Sequence, residues 1–294
     1  MGPIMRIHFL LVRRVPPVMS PVLAEAFDLL GRRGFEITTG IAEEILQRSD
    51  LLRPEHDLYV LKSHTELSLS VAGILHAQGA TLLNPYPACA AAQNKILVSR
   101  VLRANGIPAP DCWITGDFTL LAAIVRQRPL ILKPYMGHRG QGISIVRSAA
   151  ELLRLAEPGV PMLAQEHIDG SAEDLKVYVA GDEVFAVRKP FSSMSFTAPG
   201  RPCKVTPEIR DIALRCGRAL GLGLYGLDLI ENSQGAWVVD VNYFPGYKGV
   251  PDAGALVARY IEQYAAGESL LAAPCPLSQL NPIGATTVRE WSAR

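Results

Sequence analysis

What this chain of 294 residues lacks narrows its reading first. It has no surplus of charge: 29 Lys and Arg stand against 28 Asp and Glu, a formal net charge of +1. That excludes the strongly basic surface by which proteins hold duplex nucleic acid, and no basic run is interleaved with aromatics. A locally basic pocket is not excluded. Paired cysteines are also absent. Cys89, Cys112, Cys203, Cys216 and Cys275 are odd in number and include no C-x-x-C pair. Neither a disulfide framework nor a zinc cage is expected, and a reducing compartment is. No stretch approaches the roughly 18 apolar residues of a membrane span. The apolar run 4–12 is interrupted by Arg6 and His8 and reads as a first strand, not a signal peptide. Arg6 also stands where a myristoylation signal wants Ser or Thr. The expectation is a cytoplasmic protein with neither nucleic-acid nor membrane partners.

What is present is core-forming material. Hydrophobic residues make up 49% of the chain, which is enough to exclude wholesale disorder. The length suggests about two domain-sized units. Strands are expected at 4–12, 35–38, 58–62 and 81–83. Between the first two, Ser20-Pro21 reads as helix cap and first helical position, Leu23, Ala26, Phe27 and Leu30 follow at helical spacing, and Gly34 is the stop. Ser63 and Glu66 read as a capping box for a second helix with Leu67, Val71, Ile74 and Leu75 on one stripe. This βαβ rhythm predicts a parallel sheet with helices on both faces. Residues 84–87 form a turn-rich hinge. A helix over 88–105 carries Lys95, and 107–110 must be extended because of its prolines. Beyond 130 the pattern changes to consecutive strands (130–133, 143–146, 162–167, 175–180, 183–188), with a hairpin at Gly181-Asp182. A helix opens at Thr206-Pro207 and stops at Gly221; strands 225–231 and 236–243 and a helix over 252–267 complete the pattern. The tail 269–294 is Ala/Pro-rich and reads as loosely ordered or packed as a strap. No internal repeat is evident.

Three constellations carry chemistry. In the first, Lys133 leaves a buried strand, Gly137, Gly140 and Gly142 follow with His138, Arg139 and Gln141 between them, and a strand resumes. Glycines let backbone N–H groups approach phosphate oxygens, and the lysine adds a point charge. The stretch reads as a strand–loop–strand phosphate clasp or, alternatively, as a glycine-rich hairpin with an exposed lysine. In the second, Asp240 and Asn242 share one face of a strand, and the preceding strand brings Asp228 close to facing Asp240. Two carboxylates flanked by apolar residues repel unless a cation joins them, and an all-oxygen set suits Mg²⁺ or Mn²⁺. The alternative is a polar hairpin edge facing water. The third is Gln165-Glu166-His167-Ile168 followed by Asp174 and Lys176. Glu166 at a strand end is placed to offer backbone groups to an adenine edge and its side chain to the exocyclic region. Asp174 is placed to accept from a ribose hydroxyl, and Lys176 to meet phosphates or an acidic substrate. Arg188, ending a strand nearby, is a candidate for stabilising a transferring phosphoryl group. His138 and His167 lack a second histidine at ligand spacing and read as polar loop or strand-end residues.

In their order and spacing these elements resemble the ATP-grasp superfamily over roughly residues 1–265, with Gln93-Asn94-Lys95, Gly106 through Pro110, Lys133-Pro134, Gly226-x-Asp228 and Asp240-x-Asn242 among the matches. The resemblance implies an α/β and α+β fold: an N-terminal parallel-sheet domain (1–86), a central lobe with the phosphate loop (87–165), a C-terminal lobe with the metal site (166–268) and the tail (269–294). It implies that Lys95, Lys133 and the loop Gly137, His138, Arg139, Gly140, Gln141 and Gly142 contact ATP phosphates. Gln165, Glu166, His167, Ile168 and Asp174 would hold the nucleoside. Asp228, Asp240 and Asn242 would hold Mg²⁺ or Mn²⁺. The first half is similar to RimK-type ligases, which join a carboxylate to an amine through an acyl phosphate. The strings 176–182 and 240–249 resemble inositol polyphosphate kinases instead. The ligase is the preferred reading, the kinase the runner-up, and a non-catalytic nucleotide-binding module the reading of another class. Arg188 and Lys176 are expected to be catalytic, and Lys189, Gly246 and Lys248 to meet a small anionic acceptor. Family members of this kind are often dimers or tetramers, so a homo-oligomer is expected.

Overall fold

The computed structural model describes residues 4–136, 142–155, 162–170, 173–190, 200–268 and 271. The expectations for Gly137, His138, Arg139, Gly140 and Gln141, and for nearly all of the tail, lie outside the described residues.

The alternation of the first third folds as expected. Strands β1 (Arg6–Leu11), β2 (Glu36–Ile41), β3 (Leu58–Leu61) and β4 (Leu82–Leu83) form a parallel sheet in the order β2-β1-β3-β4. Helix α1 (Pro21–Arg32) starts where Ser20 Oγ accepts from Leu23 N, 3.2 Å away. Its Leu23, Ala26 and Leu30 are buried. Helix α2 (Glu66–Ala77) begins two residues later than the predicted capping box: Thr65, not Ser63, is the cap, its hydroxyl accepting from Ser68 N. Ser63 is buried in the preceding loop, where its Oγ accepts from Thr65 N. The helix expected over 88–105 is two helices, α3 (Tyr86–Gln93) and α4 (Lys95–Ala104). Asn94 breaks the run because its side chain accepts from Ile96 N and Leu97 N, and this competes with continued helix. Lys95 therefore stands at a helix start, its backbone N–H bonded to Tyr135 O.

A second sheet is antiparallel: β5 (Cys112–Thr115), β6 (Leu130–Pro134), β7 (Ser144–Val146) and β8 (Met162–Glu166), in the order β5-β8-β6-β7. Short helices α5 (Ala122–Val125) and α6 (Ala149–Leu155) cover it around a small core of its own, including Leu121, Leu130, Leu132 and Ala164. The third sheet is antiparallel in the order β11-β10-β9-β12-β13, from β9 (Glu173–Ala180), β10 (Glu183–Pro190), β11 (Arg201–Cys203), β12 (Leu224–Asn232) and β13 (Gly235–Tyr243). Helix α7 (Pro207–Leu220) is capped by Thr206 and ends at Gly221 in the left-handed conformation; α8 (Ala253–Ala265) closes the described fold. The N-terminal sheet and this third sheet share one continuous core. Asn84 joins them: it is fully buried, accepts from Gly223 N and Leu224 N, and donates to Leu224 O. No described helix is long and apolar enough to cross a membrane.

Candidate active site

The chemistry gathers on one face of the third sheet. Residues directly opposite in antiparallel strands share a face. Lys189 opposes Asp174, Lys176 opposes Asp228, and Asp228 opposes Asp240. Asp174 and Lys176, and likewise Asp240 and Asn242, are two apart on their strands. All of these side chains therefore project to one side, while Leu175, Val177, Leu227, Leu229 and Val241 are buried on the other. Asn242 opposes Gly226, where a side chain would strike the Pro245 ring at 3.1 Å. The glycine in the predicted Gly-x-Asp string thus permits the close approach of Pro245 beside Asn242.

Between Asp228 and Leu229 the register slips, and Val239 is the extra residue on β13. The consequence is a contact with the second sheet. Val239 O accepts at 3.0 Å from Nζ of Lys133, which reaches across from β6. The same ammonium donates to Gln165 Oε1 at 2.9 Å. Lys133 and Gln165 are 6% and 5% exposed, a buried pair whose polar atoms are matched. Burial lowers the Lys133 pKa, and Asp240 pulls partly back. Lys95 Nζ lies 3.1 Å from Asp240. Burial alone would raise the Asp240 pKa, but Lys95 and Lys133 outweigh it and hold the carboxyl below its ordinary value. Lys176 lies 2.7 Å from Asp228 and 3.9 Å from Asp174. Burial works against its charge, yet Asp228 leaves its pKa raised. Burial pushes Asp174 up.

Two candidate side chains point away from the cluster, both through strand alternation. Arg188 does not reach the site. It opposes Leu175 on the back of the sheet and pairs with Glu231 at 2.6 Å. Its neighbour Lys189 holds the site-side position, 4% exposed, its pKa lowered by burial and by Lys176 and Lys248. Nor does the Glu166 carboxylate face the cluster. It projects from β8 opposite to Gln165 and pairs with Arg128 at 3.0 Å, which also lies 3.6 Å from Asp111. The Glu166 and His167 backbone N–H groups donate to Asp111 O and Pro129 O. His167 Nδ1 lies 3.2 Å from Asp169, and Ile168 is half-buried beside it. Lys248 and Gly246 are exposed in the loop after β13. Gly142 has φ +73 beside the Pro134 ring, which brings the end of the glycine-rich stretch back onto its beginning.

Several residues were missed. His64 stacks on Tyr243 with ring centroids 4.1 Å apart. The Tyr243 hydroxyl lies 2.8 Å from Ser63 O and 3.0 Å from Gln93 Oε1. Lys62 Nζ donates to Phe244 O at 2.7 Å and sits over the Phe244 ring. The loop after β3 is thus fastened to the strand carrying Asp240 and Asn242. The strings Lys62-Ser63-x-Thr65-Glu66-Leu67, Gln93-Asn94-Lys95 and 240–249 each hold one side of these contacts, and none names the partner.

Among the described residues, no three His, Cys, Asp or Glu side chains form a metal cage. Asp228 and Asp240, directly opposed, with Asn242 on the same face, are instead a partial set of hard oxygen donors. Such a set fits Mg²⁺ or Mn²⁺ whose remaining ligands are phosphate oxygens and water.

The profile of the RimK-like ATP-grasp domain matches residues 92–264. The chain belongs to the RimK-like ATP-grasp family. A probable alpha-L-glutamate ligase of Mannheimia succiniciproducens is 30% identical over 244 residues, 75% of this chain and 81% of the relative. A RimK domain ATP-grasp protein of Sphaerobacter thermophilus superposes with a TM-score of 0.71 at 18% identity, over 87% of this chain and 98% of the other. A D-alanine–D-alanine ligase of Bacillus anthracis, solved with ATP, gives 0.64 at 16% identity, over 90% of this chain and all of the other (100%). The chain is an ATP-dependent ligase with the ATP-grasp fold. The strings that resemble inositol polyphosphate kinases lie inside the RimK-like match, and the kinase reading gains no support.

Proposed function

We propose that this ligase uses ATP and Mg²⁺ or Mn²⁺ to activate a small carboxylic acid as an acyl phosphate, and that an amine then takes the acyl group. The observation that carries the reading is the opposed Asp228–Asp240 pair, with Lys95 and Lys133 beside one carboxylate and Lys176 beside the other. This is a face for handling transferred phosphoryl charge. A carboxylate oxygen attacks the γ-phosphorus; the new O–P bond forms as the bond to the β-phosphate oxygen breaks and ADP leaves. The amine nitrogen then attacks the acyl carbon, loses its proton, and inorganic phosphate departs with the bridging oxygen.

Asp228, Asp240 and Asn242 would hold the metal, which supplies charge neutralisation at the phosphates. Lys95 and Lys133 bind phosphate oxygens, together with the 137–142 loop. Gln165 orients Lys133 and, with the backbone of 166–168, borders the nucleoside; Asp174 takes the ribose. Lys176 fixes Asp228, and Lys189 carries the phosphoryl-stabilising role expected of Arg188. Lys248 and Gly246 meet the acceptor. The division at 86, 165 and 268 into an α/β domain, two lobes and a tail belongs to the same proposal. So do a cytoplasmic location and a homo-oligomer, which light scattering of the full chain tests. L-Glutamate, named in the curated relatives, is the first amine to try. ADP release dependent on an acid, with a hydroxamate formed when hydroxylamine replaces the amine, supports the reading. ADP release with label transferred to a hydroxyl group overturns it.

A further inference from the structure

The three oxygen donors of the metal face are not aimed in the same way. Asp240 lies 3.1 Å from Lys95 and Asp228 lies 2.7 Å from Lys176, so a side-chain partner fixes each carboxylate. Among the described residues no hydrogen bond holds the Asn242 carboxamide. Its direction is therefore set by the backbone of β13, and that strand ends one residue later, at Tyr243. We propose that Lys62 and Tyr243 are positioning residues for Asn242, and that the loop after β3 thereby completes the metal face. The inference rests on the metal reading above and deepens it.

The first support is the Lys62 ammonium. It donates to Phe244 O at 2.7 Å and stands 5.0 Å from the centre of the Phe244 ring. Phe244 needs such a hold. It has φ +35, a region that residues with side chains seldom adopt, and it is fully buried. Its N–H donates to Leu224 O at 2.7 Å, so the residue is pinned at both ends. Losing the ammonium leaves a strained conformation with one pin instead of two. The second support is Tyr243. Its side chain is 1% exposed and points to the opposite side of β13 from Asn242. Its hydroxyl lies 2.8 Å from Ser63 O and 3.0 Å from Gln93 Oε1, and its ring is stacked on His64. Gln93 stands two residues before Lys95, so the same hydroxyl also touches the segment that carries a phosphate lysine. The third support is the donor itself. A neutral carboxamide attracts a cation less than a carboxylate does, so it contributes only when its oxygen is pointed at the metal. Groups that orient a donor from behind govern metal affinity nearly as strongly as the donor.

The test titrates Mn²⁺ into the full chain with a non-hydrolysable ATP analogue and reads free Mn²⁺ by its EPR signal, so no turnover is needed. Asn242→Ala is expected to raise the dissociation constant by about tenfold or more, and Lys62→Met by about tenfold. Tyr243→Phe, which keeps the buried ring, should raise it by about threefold to tenfold. The deciding proteins are doubles in the Asn242→Ala background. If Lys62 and Tyr243 act through Asn242, adding Lys62→Met or Tyr243→Phe changes the constant by less than about twofold. Losses in the doubles equal to the product of the single losses would mark both residues as general supports of the fold and overturn the assignment. So would an unchanged constant in both Lys62→Met and Tyr243→Phe. Wild-type protein with no nucleotide-dependent Mn²⁺ site, or Asn242→Ala protein that binds as wild type does, overturns the metal reading itself and the positioning with it.

Discussion

The two faces of the five-stranded sheet divide the labour of this molecule. One carries Lys189, Asp174, Lys176, Asp228, Asp240 and Asn242; the other buries Leu175, Val177, Leu227, Leu229 and Val241 in the shared core. The same five strands supply both, because alternate residues point to opposite sides. A polar cluster of this kind needs a rigid base, and the apolar face provides it. The contrast also teaches how little separates a side chain on the candidate-site face from one behind it. Arg188 and Lys189 are consecutive, yet one closes an ion pair on the back face and the other is enclosed beside the site.

Substitutions on the two faces should therefore fail in different ways. Asp240→Asn removes the carboxylate that Lys95 and Lys133 face and leaves the fold; turnover per folded molecule should drop by about 10²–10³-fold, with some loss of melting temperature from the uncompensated lysines, read by ADP release and calorimetry. Leu227→Ala, behind it, should do the reverse, costing about 2–5 kcal/mol in denaturant unfolding while turnover per folded molecule stays close to wild type. Lys189→Met should lose about tenfold to a hundredfold in kcat. Because its pKa is lowered, Lys189 sheds its proton below the ordinary lysine range. The alkaline limb of activity should accordingly begin early, and move to higher pH in any Lys189→Arg protein that retains turnover. Arg188→Met should change kcat by no more than about twofold and cost under about 1 kcal/mol, since its pair with Glu231 is partly exposed. A large kcat loss in Arg188→Met would break the two-face account.

Local signals carried much of this arrangement into the sequence. Ser20, Thr206 and the glycines at 34 and 221 mark helix ends because caps act through near neighbours. A short hairpin brings Asp228 within one residue of facing Asp240; the direct opposition needs the slip at Val239. What was not legible depends on the third dimension. The slip that aims Val239 O at Lys133 involves one residue and leaves no composition mark. Arg188 and Lys189 differ only in strand parity, and a strand predicted to end at Arg188 loses its count at that point. His64 and Gln93 join Tyr243 across about 180 and 150 residues of chain, a contact that no local pattern encodes.

The central claim is that a carboxylate oxygen attacks ATP on the lysine-and-aspartate face. The direct measurement uses an acid substrate labelled with ¹⁸O in both carboxylate oxygens, turned over with ATP, metal and an amine. The account predicts that one labelled oxygen per turnover appears in inorganic phosphate, and that the Asp240→Asn protein loses this transfer together with ADP release. Phosphate free of label, with both labelled oxygens retained in the acid, would contradict it.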